Sequence, residues 1–272
     1  MRVIVTRPET DAQAWLDAIE QAGHEALYVP LIAIGPAPDV LAIERAWHQW
    51  RRWQAVMFVS AQAVRMFFAH RGSHVLLGSA SSSNHETAQA TGPRYWATGP
   101  GTRQALIDAG VLPDDIDAPV VADAVQFDSE ALWQVIAPSI KKHAPVLIVR
   151  GNDGIQNSNP QGVGRDWLAQ QIVDAGASVE FVVAYLRSLP IWSDHQLGIA
   201  RQAAADGSVW CFSSSQAVLH LQAQLPDVQW HRARCIATHA RIAQTARDLG
   251  FVKVMQTRPL LSDMLASLES ST

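Results

Sequence analysis

Phe58-Val-Ser-Ala-Gln-Ala-Val64 returns as Phe212-Ser-Ser-Ser-Gln-Ala-Val218, identical at five of seven positions. Two further echoes follow the same order. Ala97-Thr98-Gly99, running on to Ala109-Gly110-Val111, is matched by Ala237-Thr238-His239 running on to Leu249-Gly250-Phe251. Val3-Ile4-Val5-Thr6-Arg7 is matched by Val146-Leu147-Ile148-Val149-Arg150, and a helical stretch comes next in each case, Trp15-Leu16 to Ala22-Gly23 and Trp167-Leu168 to Ala175-Gly176. A duplicated unit constrains an architecture more strongly than residue propensity does. Every copy has one grammar: a short β-branched apolar strand, a polar or glycine-containing turn, then a helix with apolar positions three and four residues apart. Strand followed by helix, repeated, implies parallel strands and right-handed crossovers. Ala-Gly at 22 and 23, 109 and 110, and 175 and 176 supplies the glycine that commonly follows a helix C-terminus. The fold class expected is therefore α/β, two similar doubly wound parallel-sheet domains of about four units each. Gly35 to Asp39, Gly78 to Gly92 and Asn152 to Gly164 interrupt the pattern and are expected to be connections, the first two on the surface.

Composition excludes several function classes. The 272 residues are 48% hydrophobic and 17% charged, ample for a core, and 21 basic against 25 acidic residues leave a formal charge of -4. The charges are interspersed, so no broad field attracts nucleic acid or an anionic membrane. Met1-Arg2-Val3-Ile4-Val5-Thr6-Arg7-Pro8 enters a strand directly, without the shape of a signal peptide, and no apolar run has the length of a membrane span. The two cysteines, Cys211 and Cys235, lie in strand-like runs away from any metal-ligand spacing, as buried free thiols would. A cytoplasmic protein is expected. No phosphate loop, Gly-x-Ser-x-Gly elbow or His-Glu-x-x-His is present, and Ala97-Thr-Gly-Pro-Gly-Thr102 lacks the third glycine of a dinucleotide fingerprint. The ten histidines do not pair at metal-ligand spacing, so no metal site is expected. Trp47-His48-Gln49-Trp50-Arg51-Arg52-Trp53 combines rings with cations, yet no second basic run extends it, and packed tryptophans on an amphipathic helix explain it better than a nucleic-acid patch.

In open parallel sheets, ligands bind beyond the carboxyl ends of the strands, where helix N-termini present unpaired N–H groups. The turns at those positions are Thr6-Arg7-Pro8, Ser60-Ala61-Gln62, Thr98-Gly99-Pro100-Gly101-Thr102, Arg150-Gly151-Asn152, Ser213-Ser214-Ser215-Gln216 and Thr238-His239-Ala240-Arg241. Hydroxyls and other donors dominate them and carboxylates are nearly absent, which suits a polyanionic ligand. Taken singly, a Ser or Thr there is also an ordinary N-cap, stabilising its helix by about 1 kcal/mol. Tyr185, one of three tyrosines, ends the apolar run Phe181-Val182-Val183-Ala184 just before Arg187. A buried structural tyrosine is the plain alternative to a functional one.

Assembled in order, these residues resemble the uroporphyrinogen-III synthase family over essentially the whole chain. The matching motifs are Ile4-Val-Thr-Arg-Pro8, Phe58-Val-Ser-Ala-Gln-Ala-Val64, Trp96-Ala-Thr-Gly99, Ala122-Asp123 with Phe127-Asp-Ser-Glu-Ala131, Val149-Arg-Gly151 with Gly164-Arg165, Tyr185-Leu-Arg187 and Phe212-Ser-Ser-Ser-Gln-Ala-Val218. The resemblance implies two α/β domains, 1–36 with 188–272 and 37–187, joined by a two-stranded connection with a cleft between them. It also implies a monomeric, cofactor-free enzyme that takes hydroxymethylbilane, dehydrates it to an azafulvene cation and closes it through a spiro intermediate with ring D inverted. Arg7, Ser60, Ala61, Thr98, Gly99, Gly101, Thr102, Arg150, Gly151, Ser213, Ser214, Ser215, Gln216, His239 and Arg241 would then bind substrate, and Tyr185 would help the hydroxyl leave as water. One motif departs from the family: Thr238-His239-Ala240-Arg241-Ile242 has His where glycine is common and Ile where a threonine is, so His239 and Arg241 would have to replace those contacts. Two other classes share the fold, a two-domain polyanion-binding protein and a nucleotide-sugar or phosphate-group transferase. Export would mark the first, and a clear acid/base pair or metal site the second.

Overall fold

The computed structural model describes residues 1–72, 92–119, 129–153 and 167–270. In chain order they form β1 (Arg2–Val5), α1 (Glu9–Gln21), β2 (Glu25–Tyr28), β3 (Ala33–Gly35), α2 (Val40–His48), β4 (Ala55–Phe58), α3 (Ala61–Phe68), β5 (Arg94–Ala97), α4 (Pro100–Asp108) and β6 (Ile116–Asp117). There follow α5 (Ser129–Ile136), β7 (Pro145–Asp153), α6 (Trp167–Asp174), β8 (Ser178–Ser188), α7 (Asp194–Ala203), β9 (Val209–Phe212), α8 (Ser215–Gln224), β10 (Arg234–Ala237), α9 (Ala240–Leu249), β11 (Lys253–Gln256) and α10 (Leu261–Glu269). The chain divides into two compact units, Met1–Ile34 with Ser188–Thr272, and Gly35–Arg187.

One sheet has the order β11-β10-β9-β1-β2 and the other β3-β8-β7-β4-β5-β6. Every strand pair from β2 to β11 and from β8 to β6 is parallel. The registers turn the sequence echoes into a structural equivalence. Val3 pairs with Val209, and its counterpart Val146 pairs with Ala55, the residue that Val209 repeats. Arg234 beside Val209 likewise matches Arg94 beside Ala55. Five strands of each sheet thus come as two from one sequence copy and three from the other: β1 and β2 join β9 to β11, while β7 and β8 join β4 to β6, with β3 added as a sixth strand at the edge of the second sheet. This exchange is a fact of pairing, and no repeat along the chain discloses it.

Alternation along the strands builds two layers of core on the first sheet. Ile4, Trp210, Phe212, Cys235 and Ala237 face α7, α8 and α9, where Ala200, Leu221, Ile242 and Ala246 are buried. Val3, Val5, Val209, Cys211 and Ile236 face Trp15 and Ile19 of α1 and Met264 and Leu268 of α10. In the second unit Met57, Trp96 and Ile148 pack on Leu132 of α5 and Leu168 and Ile172 of α6. The tryptophan-rich segment is internal, as its pattern predicts: Trp47, Trp50 and Trp53 are all buried, and Trp47 stacks on Trp50 with ring centroids 4.3 Å apart. The helix stops at His48, however, and a single 3-10 turn carries Trp50. Gly23, Gly110 and Gly176 have φ of 80°, 91° and 94°, the left-handed backbone expected after a helix end.

Two expected connections begin later than the sequence suggests. Gly35 belongs to β3, Ala37 is buried, and Asp39 caps α2 by accepting from Ala42 N–H at 3.0 Å. Residues 36–39, between β3 and α2, are the expected surface connection, with Pro36, Pro38 and Asp39 exposed. Asn152 and Asp153 continue β7. The remainder of the expected connections, 78–91 and 154–164, lies outside the described residues, as do Ala122-Asp123, Phe127-Asp128 and Gly164-Arg165.

Cys211 and Cys235 are free and buried. Cys211 stands beside Ile236 in the register, so Cys235, one residue earlier, points to the opposite face. Burial pushes both thiols up to about 12, keeping them protonated at mildly alkaline pH. A thiol reagent at such pH should therefore label neither cysteine in the folded protein and both in denaturant. Native labelling at the rate of a small free thiol would refute this packing.

Candidate functional site

A doubly wound sheet places its site where strand order reverses. In the first unit that point is between β1 and β9, and in the second between β4 and β7. The turns leaving these four strands are Thr6-Arg7, Ser213-Ser214, Ser60-Ala61 and the end of β7 at Arg150-Gly151-Asn152. They hold seven of the sequence candidates: Arg7, Ser60, Ala61, Arg150, Gly151, Ser213 and Ser214.

In the first unit, Thr6 is buried and its hydroxyl donates to the Cys211 carbonyl at 2.6 Å, tying β1 to β9. Arg7 lies over the Trp15 ring at 4.1 Å, and burial holds its guanidinium below the ordinary value while Asp11 opposes the shift. Ser214 caps α8 by accepting from Gln216 N–H at 3.2 Å. Beside it the buried Ser215 hydroxyl has no hydrogen-bond partner among the described residues, and Ser213 is half-buried. Gln216 and His220 bond at 2.9 Å, and His220 Nδ1 lies 2.6 Å from the Leu31 carbonyl. A carbonyl can only accept, so Nδ1 carries the proton and Nε2 accepts from Gln216. His239 takes the cap position of α9 without a capping side-chain bond, and Arg241 is exposed on the first turn. Ile242, standing where the family commonly has a hydroxyl, is buried in the core.

The second unit brings candidates into direct contact. Tyr185 is buried, and its hydroxyl lies 3.2 Å from Ser60 Oγ. Ser60 also caps α3, accepting from Ala63 N–H at 3.1 Å. Thr98 donates to the Val59 carbonyl at 3.3 Å, which anchors the turn after β5 to that after β4. Gly99 caps α4 through its backbone, with Pro100 in the first turn; Thr102 is buried there and Gly101 exposed. Arg150 is buried over the Phe181 ring at 4.1 Å, the counterpart of Arg7 on Trp15.

Tyr185 is positioned by two local features. The register between β7 and β8 slips by one residue, so that Arg150 faces Val183 but Gly151 faces Tyr185. Such a bulge re-aims side chains. Gly151 then provides the seat, because a Cβ at this position would stand 2.4 Å from Tyr185 Cζ. Two residues on, Arg187 Nη2 pairs with Asp153 Oδ1 at 2.8 Å with both side chains 24% exposed. Asp153 and His220 are contacts that sequence reading missed. The spacing of Gln216 and His220, four apart on one helix, carried the signal for the second; nothing local carried it for the first.

The sequence profile described as uroporphyrinogen-III synthase HemD matches residues 13–266. The chain belongs to the uroporphyrinogen-III synthase family. A uroporphyrinogen-III synthase of Chlorobaculum parvum is 29% identical over 155 residues, 55% of this chain and 53% of that protein. The chain thus spans about half the length of that curated relative. Two solved structures share the family fold. One is a mutant uroporphyrinogen III synthase of the extremely thermophilic bacterium Thermus thermophilus, TM-score 0.55 at 14% identity over 100% of this chain and 98% of that one. The other is the uroporphyrinogen-III synthetase of Helicobacter pylori, TM-score 0.54 at 15% identity over 100% of both.

If Gly151 seats the Tyr185 ring, Gly151→Ala must displace it. Overpacking of this kind costs about 1–3 kcal/mol, read as a lower urea midpoint with an unchanged slope. An unaltered midpoint would contradict the close approach.

Proposed function

We propose that the chain is a uroporphyrinogen-III synthase, converting hydroxymethylbilane to uroporphyrinogen III with inversion of ring D and loss of water. The observation that carries this reading, beyond family membership, is the buried phenol of Tyr185 held over Gly151 and bonded to Ser60. Tyr185 gives its proton to the terminal hydroxyl of the substrate, the C–O bond breaks with its electron pair on oxygen, and water departs. The pyrrole nitrogen's lone pair fills the vacancy as an azafulvene cation. The substituted carbon of ring D attacks it to give a spiro intermediate, which fragments and recloses with the ring turned over. The proton lost when the last pyrrole regains aromaticity returns to the phenolate.

The linear substrate cyclises by itself without inversion, so the enzyme's task is to favour the conformer in which the substituted carbon meets the cation. Hydroxyls and N–H groups after β1, β4, β5, β9 and β10, and at the end of β7, supply directional bonds to the substrate's carboxylates. Arg7 and Arg150, each fixed against a ring, add charge in defined places. Such a donor set suits a chain with net charge -4. The same reading has the protein act as a monomer without a cofactor, in the cytoplasm, where free buried cysteines are at home. It assigns the other turn residues, Ala61, Gly99, Gly101, Thr102, Ser213 to Gln216, His239 and Arg241, to substrate contact.

Purified protein given freshly generated hydroxymethylbilane should yield the type III isomer after oxidation. Type I product alone, at the spontaneous rate, would overturn the proposal. Tyr185→Phe should slow type III formation roughly 100-fold, the scale of a lost general acid, without abolishing it. An undiminished rate would take Tyr185 out of the mechanism.

A further inference from the structure

We infer that Ser60 is a positioning residue for Tyr185, delivering the N-terminus of α3 to the phenol through a two-bond relay; this rests on the function proposed above. A serine hydroxyl has one proton and two lone pairs. One lone pair of Ser60 is taken by Ala63 N–H at 3.1 Å, which leaves its proton for the phenolic oxygen at 3.2 Å. With Ser60 donating, the proton of Tyr185 stays free for the departing hydroxyl. With Tyr185 donating, that proton would be spent inside the protein. The polarity of the relay is set by the helix: an N–H bonded to Ser60 Oγ draws electron density from it and strengthens it as a donor, and the positive end of the α3 dipole favours the negative charge that forms on the phenol.

Three further observations fix this pair in place. The bulge between Arg150 and Gly151 brings Tyr185 opposite a glycine. The bare Cα of Gly151 admits the ring. Thr98 holds the Val59 carbonyl directly before Ser60. A separation of 3.2 Å is long for two hydroxyls, and catalytic bonds of this kind tighten when substrate is bound. Ser214 is the counterpart of Ser60 in the repeat and also caps its helix, α8, accepting from the N–H two residues on where Ser60 accepts from the one three residues on. Its partners are those of an ordinary cap, so the added bond to a phenol is what distinguishes Ser60.

The test combines activity with a signal that does not depend on it. The chain has three tyrosines, so labelling with ¹³Cζ-tyrosine gives three resonances, two of them internal references. Ser60→Ala removes the hydroxyl. Ser60→Asp keeps the helix cap but offers only acceptors. Ser60→Thr keeps both cap and donor. The relay predicts that the Tyr185 resonance moves in the Ala and Asp variants and stays near its place in the Thr variant. It also predicts that kcat falls about tenfold in the first two with KM little changed, that Thr restores most of the rate, and that Ser60→Ala adds no loss in a Tyr185→Phe background. An unmoved resonance in Ser60→Ala, full activity in Ser60→Asp, or an equal loss in both backgrounds would reduce Ser60 to a helix cap and overturn the inference. Wild-type protein that yields only type I isomer would remove the proposed function and the role of the pair within it, while the resonance still tells that failure apart from a missing contact.

Discussion

Both sheets depend on a parallel ladder at the point where strand order reverses, β1 beside β9 in one and β7 beside β4 in the other. Parallel neighbours cannot be joined by a hairpin, so each needs a crossover, and the crossovers put every post-strand turn at the same edge of its sheet. That edge exists only because the central strands are buried on both faces. Val3, Ile4, Val5 and the whole of β9 and β4 are almost fully enclosed, each large side chain contributing about 2 kcal/mol relative to exposure. In the first unit the ladder joins opposite ends of the chain. Two strands, β1 and β2, form no stable sheet alone, so that unit must await β9, whereas Gly35–Arg187 is continuous.

Much of this arrangement was legible in the residues. Phe58 to Val64 against Phe212 to Val218 located the central strands and their helices, and the glycines at 23, 110 and 176 located three helix ends. The hydroxyl-rich turns also follow from local pattern, because strand, cap and helix are each short-range decisions. Pairing between distant segments is not short-range. Nothing in Val3 to Arg7 states whether its neighbour is Ala55 or Val209, since both copies offer equivalent partners. The register slip at Gly151 is equally silent, for it depends on two strands together. Gly35 to Asp39 was legible as a surface connection, and only its first residue differs, because a glycine that marks a change of direction can also end an edge strand.

The duplication also separates what is shared from what is specialised. Arg7 and Arg150 rest on rings at the same 4.1 Å, and Ser60 and Ser214 cap equivalent helices. A repeated set of neutral donors and enclosed cations suits a ligand with many carboxylates. On the proposed reaction, a single dehydration needs a single acid, and its candidate, Tyr185, lies where one pair of strands is extended. β2 ends at Tyr28 opposite Val5. The equivalent pair, Ile148 and Phe181, is followed by further pairing down to Asp153 and Arg187. The bulge, Gly151, Tyr185 and the Asp153–Arg187 ion pair all lie in that extension. On that proposal, binding resides in what the two copies retain in common, and the acid in strand length that only one of them has.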